Sequence, residues 1–245
     1  MFLEWLNELK DVFIRCFIDD NRWEWLVEGF GKSLLITFLS IFLGLAFGVF
    51  LAAIRSSYDK NEESLKLKGG FGYYMLKAVN GLSKMYITVI RGVPVVVQLM
   101  LWYFVFLKTQ SNDVLIAVVA FGVNSSAYVA EIFRGGIMSV DNGQFEAGRS
   151  LGFNYIQTMV FIVVPQMFKM VLPTLCNEFI VLLKETSVAG YVGIADLTKA
   201  GDLIRGRTFS AFMPLIAVAV IYLVIVMLFT WLVGKLERRL RKSDH

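Results

Sequence analysis

The sequence predicts an all-α integral membrane protein with five transmembrane helices. Of its 245 residues, 57% are hydrophobic and the mean hydropathy is +0.64, which exceeds what a soluble globular domain normally tolerates. Several segments stay apolar over about 20 residues, the length that crosses roughly 30 Å of hydrocarbon at 1.5 Å per residue. Basic residues gather in 55–84 and 235–242, while acids outnumber bases before residue 34. The N-terminus is therefore expected outside and the C-terminus in the cytoplasm.

The predicted spans cover residues 34–54, 73–107, 114–133, 162–183 and 212–233. The first contains Gly44 and Gly48 at the spacing that lets two helices approach closely, and we expect that packing within the chain. A polar linker is predicted over 55–72. The second span becomes purely apolar only from Val93, so its inner half should face protein or water. Four basic residues in 184–210 are assigned outside, against the general charge pattern.

Residues 1–32 predict an N-terminal amphipathic extension. Apolar side chains recur there at helical spacing, opposite charged ones: Phe2, Trp5, Leu6, Leu9, Phe13, Cys16 and Phe17 against Glu4, Glu8, Lys10 and Asp11. Such a helix lies on a membrane surface or against the next span, and a partly ordered extension is the alternative. A cleavable signal peptide is not expected, because the basic start and small-residue cleavage site are missing.

Several kinds of chemistry are excluded by composition. The one histidine is His245, so a histidine triad or zinc site is not expected. Cys16 and Cys176 match no metal or redox spacing and are interpreted as packing residues. Gly31, Lys32 and Ser33 resemble the end of a phosphate-binding loop, but position 26 is Leu where that motif needs Gly. No internal repeat is seen, so the chain is interpreted as half of a pore.

A polar layer is predicted near the middle of the membrane. Counting about 1.5 Å per residue along each helix places the following side chains at similar depths: Gln98, Asn124, Ser125, Ser126 and Glu178. A carboxylate at that depth must face a cavity or a partner. Glu178 is predicted to receive an amino acid's ammonium group or cationic side chain; the alternative is a structural role, paired with Lys184 or capped by neighbouring hydroxyls. Nearer the cytoplasm, Arg91 and Glu131 are predicted to form an inner gate or a static pair.

Residues 146–166 carry too many polar and small residues to cross a membrane. A short helix is predicted to start at Glu146, Ala147 and Gly148, followed by a corner at Gly152. Pro165 is expected to start or kink the next helix. A plain connecting hairpin is the alternative.

This stretch resembles the cytoplasmic signature of bacterial ABC importer permeases, E-A-A, three residues, G, nine residues, I-x-L-P. Gly148 stands for its third residue and Val164 for its leucine. Further segments resemble the polar-amino-acid branch of that family: Arg91-Gly92-Val93-Pro94 with Gln98, NSSAYVAEIFRGGI at 124–137 and NEFIVLLKETS at 177–187.

The resemblance implies a type I importer transmembrane domain over residues 33–240, in the bacterial cytoplasmic membrane, with 134–161 as the cytoplasmic coupling loop. It implies a dimer with a second copy or a homologous permease, two cytoplasmic ATPase subunits and an extracytoplasmic solute-binding protein. No cofactor is expected in this chain, since ATP and Mg would be bound by the ATPase, and no nucleic acid is expected. Small residues at 147 and 148 would let the loop helix enter a groove on the ATPase, so Gly148→Asp should abolish coupling. The alternatives are an ion-coupled secondary transporter, a channel subunit and a membrane scaffold.

Overall fold

The computed structural model describes residues 2–242, without the side chains of residues 2, 3, 5, 6, 61, 63–65, 68, 241 and 242. The apolar positions Phe2, Trp5 and Leu6 and the single histidine at His245 therefore lie outside the described side chains. Within these limits the chain forms ten α-helices: α1 Phe2–Phe13, α2 Trp23–Lys68, α3 Phe71–Gly92, α4 Val95–Leu101, α5 Asp113–Ser139, α6 Asn142–Ser150, α7 Tyr155–Thr158, α8 Val164–Glu185, α9 Leu197–Thr208 and α10 Phe212–Lys242.

Four helical stretches of the described chain are long and apolar enough to cross a membrane: Trp23–Lys60, Asp113–Ser139, Tyr155–Val192 and Phe212–Leu240. A fifth arises if the bent pair Phe71–Gly92 and Val95–Phe106 crosses as one span. The predicted all-α, five-span fold class is confirmed on that count. Four of the predicted spans fall within these stretches, and the second, 73–107, ends one residue beyond the bent pair.

The second predicted span is not one helix, which corrects the expectation for 73–107. The helix ends at Gly92, and Val93 is extended (φ −99°, ψ 131°) before Pro94. Proline disfavours helical geometry in the residue before it and has no N–H for the helical ladder. The depth of Arg91, which was counted through this break, therefore does not apply.

The predicted linker over 55–72 is also wrong, because helix α2 continues to Lys68. Its 46 residues correspond to about 69 Å, more than twice the thickness of the hydrocarbon core. Two consecutive glycines then end it in the left-handed region, Gly69 (φ +61°) and Gly70 (φ +94°). Residues 55–68 thus form a helical extension beyond the apolar part of α2.

The chain divides into two compact units. The first comprises the residues up to Leu39 with Val95–Phe121 and Ile180–Trp231. In it, the π-helical segment Ile14–Ile18 places Cys16 and Phe17 in an apolar cluster with side chains of α9 and α10: Leu197, Ala200, Ile204 and Val218. The N-terminal extension therefore packs against these helices through its middle part, and Cys16 is a packing residue.

The second unit comprises Ser40–Pro94, Gly122–Phe179 and the residues from Leu232 onward. A Cβ at Gly44 would lie 3.0 Å from Ser125 Oγ, and one at Gly48 would lie 2.6 Å from Val129 Cγ1. The glycine pair of α2 therefore packs within the chain against α5, as predicted. A separate core joins the ends of α5, α6 and α8 through Ile137, Val140, Phe145, Val163 and Met167.

Candidate functional site

The polar run of three residues in the middle of α5 is buried inside the second unit. Asn124, Ser125 and Ser126 expose 3%, 0% and 0% of their surface, on a helix that continues through them. The Ser125 hydroxyl donates to Glu178 Oε1 over 3.2 Å. Glu178, on α8, is half-buried. Ser125 and Glu178, which were predicted to lie at similar depths, thus form a direct hydrogen bond.

Ser126 engages a residue that the sequence did not single out. Its hydroxyl donates to the Val123 carbonyl (2.8 Å) and shares a 2.7 Å hydrogen bond with Tyr86 of α3. The Tyr86 hydroxyl also donates to the Val123 carbonyl over 3.1 Å. Because these bonds join α3 to α5, Ser126 has a structural role in this conformation. The polar inner half of α3 was the signal that could have pointed to Tyr86.

Gln98 lies in the first unit, on α4, and is 5% exposed. The other members of the predicted polar layer, Asn124, Ser125, Ser126 and Glu178, lie in the second unit. Its predicted depth assumed one straight span over 73–107, whereas the helix is interrupted between Gly92 and Val95.

The predicted inner gate has different partners from those expected. Glu131 forms an ion pair with Arg55 of α2 and a second with Arg134, at 3.0 Å. Arg91 instead stacks over the Tyr128 ring, with its guanidinium carbon 5.2 Å from the ring centre. The prediction missed Arg55 because residues 55–72 were interpreted as a linker.

This ion-pair chain continues along α2. Arg134 also pairs with Asp59 over 3.2 Å, so Arg55 and Asp59, four residues apart on α2, alternate in charge with Glu131 and Arg134 on α5. Such spacing places both members of each helix on one face. The four charges tie the extension of α2 to the cytoplasmic end of α5.

The signature helix, α6, is capped at both ends. Asp141 precedes it and its carboxylate accepts from Gly143 N over 2.6 Å. At the other end Phe153 N donates to Gly148 O and Gly152 N to Arg149 O, with Gly152 at φ +82°. This is the Schellman arrangement, which favours glycine at that position, and it confirms the predicted corner.

Two expectations for this loop need correction. The helix begins at Asn142, so Glu146 lies in its middle and does not start it. Pro165 does not start the next helix, since helical geometry begins at Tyr155 and continues through a π-helical segment, Met159–Val163, into α8. Pro165 directly follows that π-helical segment, as the second residue of α8.

Contacts within this chain leave no room for a side chain at Gly148. A Cβ at this position would lie 2.7 Å from Thr158 Oγ1, 2.8 Å from Thr158 Cγ2 and 3.2 Å from Ile162 Cδ1. Glu146 and Ala147, in contrast, are exposed. The outward face of α6 therefore presents Glu146 and Ala147, and its inward face presents Phe145 and Gly148.

A cavity of about 550 Å³ opens beside this helix. It is lined by the end of α2, the end of α5, α6 and α7, and its charged residues are Asp59, Lys60, Glu62, Glu146 and Arg149. It lies wholly within the second unit.

The first unit contains a buried carboxylate at the start of α9. Asp196 is fully buried, and its side chain accepts from Lys199 N (2.9 Å) and Thr198 N (3.0 Å), which caps the helix. Burial raises the pKa of Asp196, although these hydrogen bonds oppose the shift. A Cβ at Gly29 would meet the Asp196 carbonyl oxygen at 2.7 Å, and Ser33 Oγ accepts from Leu197 N. The sequence reasoning missed this contact, for which the Asp at an N-cap position was the available signal.

Comparison with known proteins identifies the family. Residues 44–242 match the family of binding-protein-dependent transport system inner membrane components. The chain belongs to this family. The permease is 35% identical over 221 residues to the glutamine transport system permease protein GlnP of Escherichia coli (strain K12), covering 88% of this chain and 93% of that protein. It is 32% identical over 222 residues to the arginine transport system permease protein ArtQ of Bacillus subtilis (strain 168), covering 89% and 94%.

A solved structure described as an amino acid ABC transporter with histidines matches this permease at a TM-score of 0.77 and 37% identity. The match covers 91% of this chain and 98% of that one. The type I importer fold and a multi-pass location in the bacterial plasma membrane follow from the family, the helices and this likeness. The relatives are transport subunits, in agreement with the predicted non-enzymatic role.

Proposed function

We propose that this permease is the transmembrane subunit of an ATP-driven importer of polar or charged amino acids. Two permease chains, identical or homologous, form the pore, two ATPase subunits bind ATP and Mg in the cytoplasm, and a solute-binding protein delivers the amino acid from outside. Support comes from the relatives, which are described as glutamine and arginine permeases at similar identity.

The observation that carries the coupling proposal is the exposed face of α6. Glu146 and Ala147 point outward on a helix fixed by Asp141 at its start and by Gly152 at its end. An exposed carboxylate beside a small residue suits a groove with a basic lining. The caps at both ends keep α6 helical when the ATPase moves it. Movement of the ATPases would then displace α6 as a rigid body.

Reconstitution with the ATPase and binding protein tests this proposal. Glu146→Lys should abolish substrate-stimulated ATP hydrolysis and uptake, while the thermal unfolding temperature of the isolated permease should not change. Glu8→Lys, an exposed carboxylate on α1, is a matched charge reversal expected to retain stimulation. Normal stimulation in Glu146→Lys would refute docking through this face.

We further propose that Glu178 and Ser125 contact the amino acid during its passage, with Asn124 beside them on α5; Gln98 and Ser126 are weaker candidates. The Glu178 carboxylate can accept a hydrogen bond from an ammonium group at the place where it now accepts from Ser125. Glu178→Gln should reduce uptake at least tenfold and leave assembly with the ATPase intact. Unchanged uptake would leave Glu178 with a structural role alone.

ATP dependence separates this function from its alternatives. An ion-coupled secondary transporter or channel subunit would sustain flux in proteoliposomes without ATPase, whereas an importer subunit would not. Flux that follows an imposed proton or sodium gradient in the absence of ATP would contradict the proposal.

A further inference from the structure

Lys60 lies on the extension of α2 that the apolar pattern does not predict. Residues 55–68 continue the helix for about 21 Å past the predicted first span. Within this extension α2 lines the cavity beside α6 through Asp59, Lys60 and Glu62.

Two contacts join Lys60 to α6. Its Nζ donates to Asn142 Oδ1 over 2.6 Å, and the same atom lies 4.6 Å from the centre of the Phe145 ring. Asn142 is the first residue of α6, and Phe145 is 9% exposed within the core that also holds Val163 and Met167. A cation over an aromatic face is attracted by the ring quadrupole. Lys60 therefore contacts the first turn of α6 on its exposed side, through Asn142, and on its buried side, through Phe145.

The residue next to Lys60 fixes α2 on its other side. Asp59 pairs with Arg134, and Arg55, one turn earlier, pairs with Glu131. Consecutive helical residues point about 100° apart, so the extension of α2 contacts α5 through one face and α6 through the next. This double attachment sets the rotation of α2 at the level of Lys60.

We infer that Lys60 is a positioning residue for the coupling helix. It attaches the start of α6 to α2, so that a displacement imposed on α6 is transmitted to α2 and α5 as well as through the Gly152 corner to α8. This inference rests on the proposed contact of α6 with an ATPase. The positively charged end of α2 thus has a mechanical task in addition to setting membrane topology.

Hydrogen exchange in the isolated permease tests the attachment without any ATPase. In lipid nanodiscs, Lys60→Met should speed amide exchange in residues 142–150 about tenfold, because a charge-assisted hydrogen bond to the first turn is lost. Lys60→Arg should retain protection, since guanidinium can both donate to an amide oxygen and stack on an aromatic ring. Lys66→Met removes an exposed lysine from the same helix and serves as the control. Unchanged exchange in Lys60→Met would overturn the inference.

A partner exchange and a coupling measurement complete the test. Lys60→Glu combined with Asn142→Lys should restore the part of the protection that comes from the 60–142 contact, which Lys60→Glu alone loses. In the reconstituted importer, Lys60→Met should lower the amount of substrate moved per ATP hydrolysed several-fold, and Lys60→Arg should restore it. Lost protection with an unchanged ratio would refute the role in transmission. Absence of ATP-driven uptake in the unmodified complex would refute the proposed function instead, and it would leave the exchange result on Lys60 standing.

Discussion

Gly148→Ala tests whether the signature glycine is required by packing inside this chain. The added Cβ would stand 2.7 Å from Thr158 Oγ1 and 2.8 Å from Thr158 Cγ2, closer than unbonded heavy atoms of these types approach. Thr158 is 2% exposed, and its hydroxyl donates to the Asn154 carbonyl, which restricts its movement. The clash therefore has to be relieved by moving α6 away from α7.

The expected magnitude combines two opposing effects. Overpacking of a buried contact costs about 1–3 kcal/mol, while replacing glycine by alanine within a helix gains about 1 kcal/mol. Gly135→Ala provides the matched control, because Gly135 is in α5 and a Cβ there would meet nothing within 4 Å. The two variants should differ in stability by about 1–3 kcal/mol, with Gly148→Ala the less stable.

Thermal unfolding in detergent measures this difference. A double variant with Thr158→Ala should recover part of the loss, giving a favourable coupling of about 1 kcal/mol between the two sites. Equal stability of Gly148→Ala and Gly135→Ala, or zero coupling to Thr158, would refute the packing explanation. The structure also changes the meaning of Gly148→Asp, since any side chain at this position disturbs α6 before an ATPase is present. Glu146 and Ala147 are the better probes of docking.

Three further outcomes are expected. Gly48→Leu should separate α2 from α5 and lower stability by about 2 kcal/mol or more, seen in the unfolding temperature. Glu131→Gln should cost about 1–3 kcal/mol, because Arg55 and Arg134 lose their shared carboxylate, and the exchange Arg55→Glu with Glu131→Arg should recover part of it. Asp196→Asn keeps an oxygen that can cap α9. Because the pKa of Asp196 is raised in the folded protein, its protonated form is favoured there. The contribution of Asp196 to the free energy of unfolding is therefore fully present below about pH 4 and is lost as the pH rises. The advantage of Asp196→Asn should therefore grow between pH 4 and 7; a pH-independent difference would contradict this.

The membrane-crossing segments could be predicted because hydropathy can be summed along the chain without knowing which residues are in contact. Apolar runs of about 20 residues fix the number of spans, and Gly44 and Gly48 announce close helix packing through spacing alone. The caps around α6 are similarly local, so the corner at Gly152 is visible in sequence. The break at Pro94 was also local, but the apolar residues around it favoured a continuous span.

The partners of charged residues could not be predicted in the same way. Arg91 and Glu131 were paired on their predicted depth, yet Glu131 contacts Arg55, which lies 76 positions earlier. That choice depends on whether α2 stays helical outside the membrane, and hydropathy carries no information about a polar helix end. Gly148 shows a related limit: a small residue in a motif indicates close approach but not which surface approaches.

Because α2 is one continuous helix, the directions in which its last residues point depend on the number of residues before them. An insertion of one residue after Leu51 would turn everything downstream by about 100° and carry Arg55, Asp59 and Lys60 away from their partners together. An insertion of four residues would leave a turn of about 40° and shift the helix by about 6 Å. Insertions in this part of the chain should therefore be tolerated when they approximate whole helical turns. A flexible linker would accept insertions of any length.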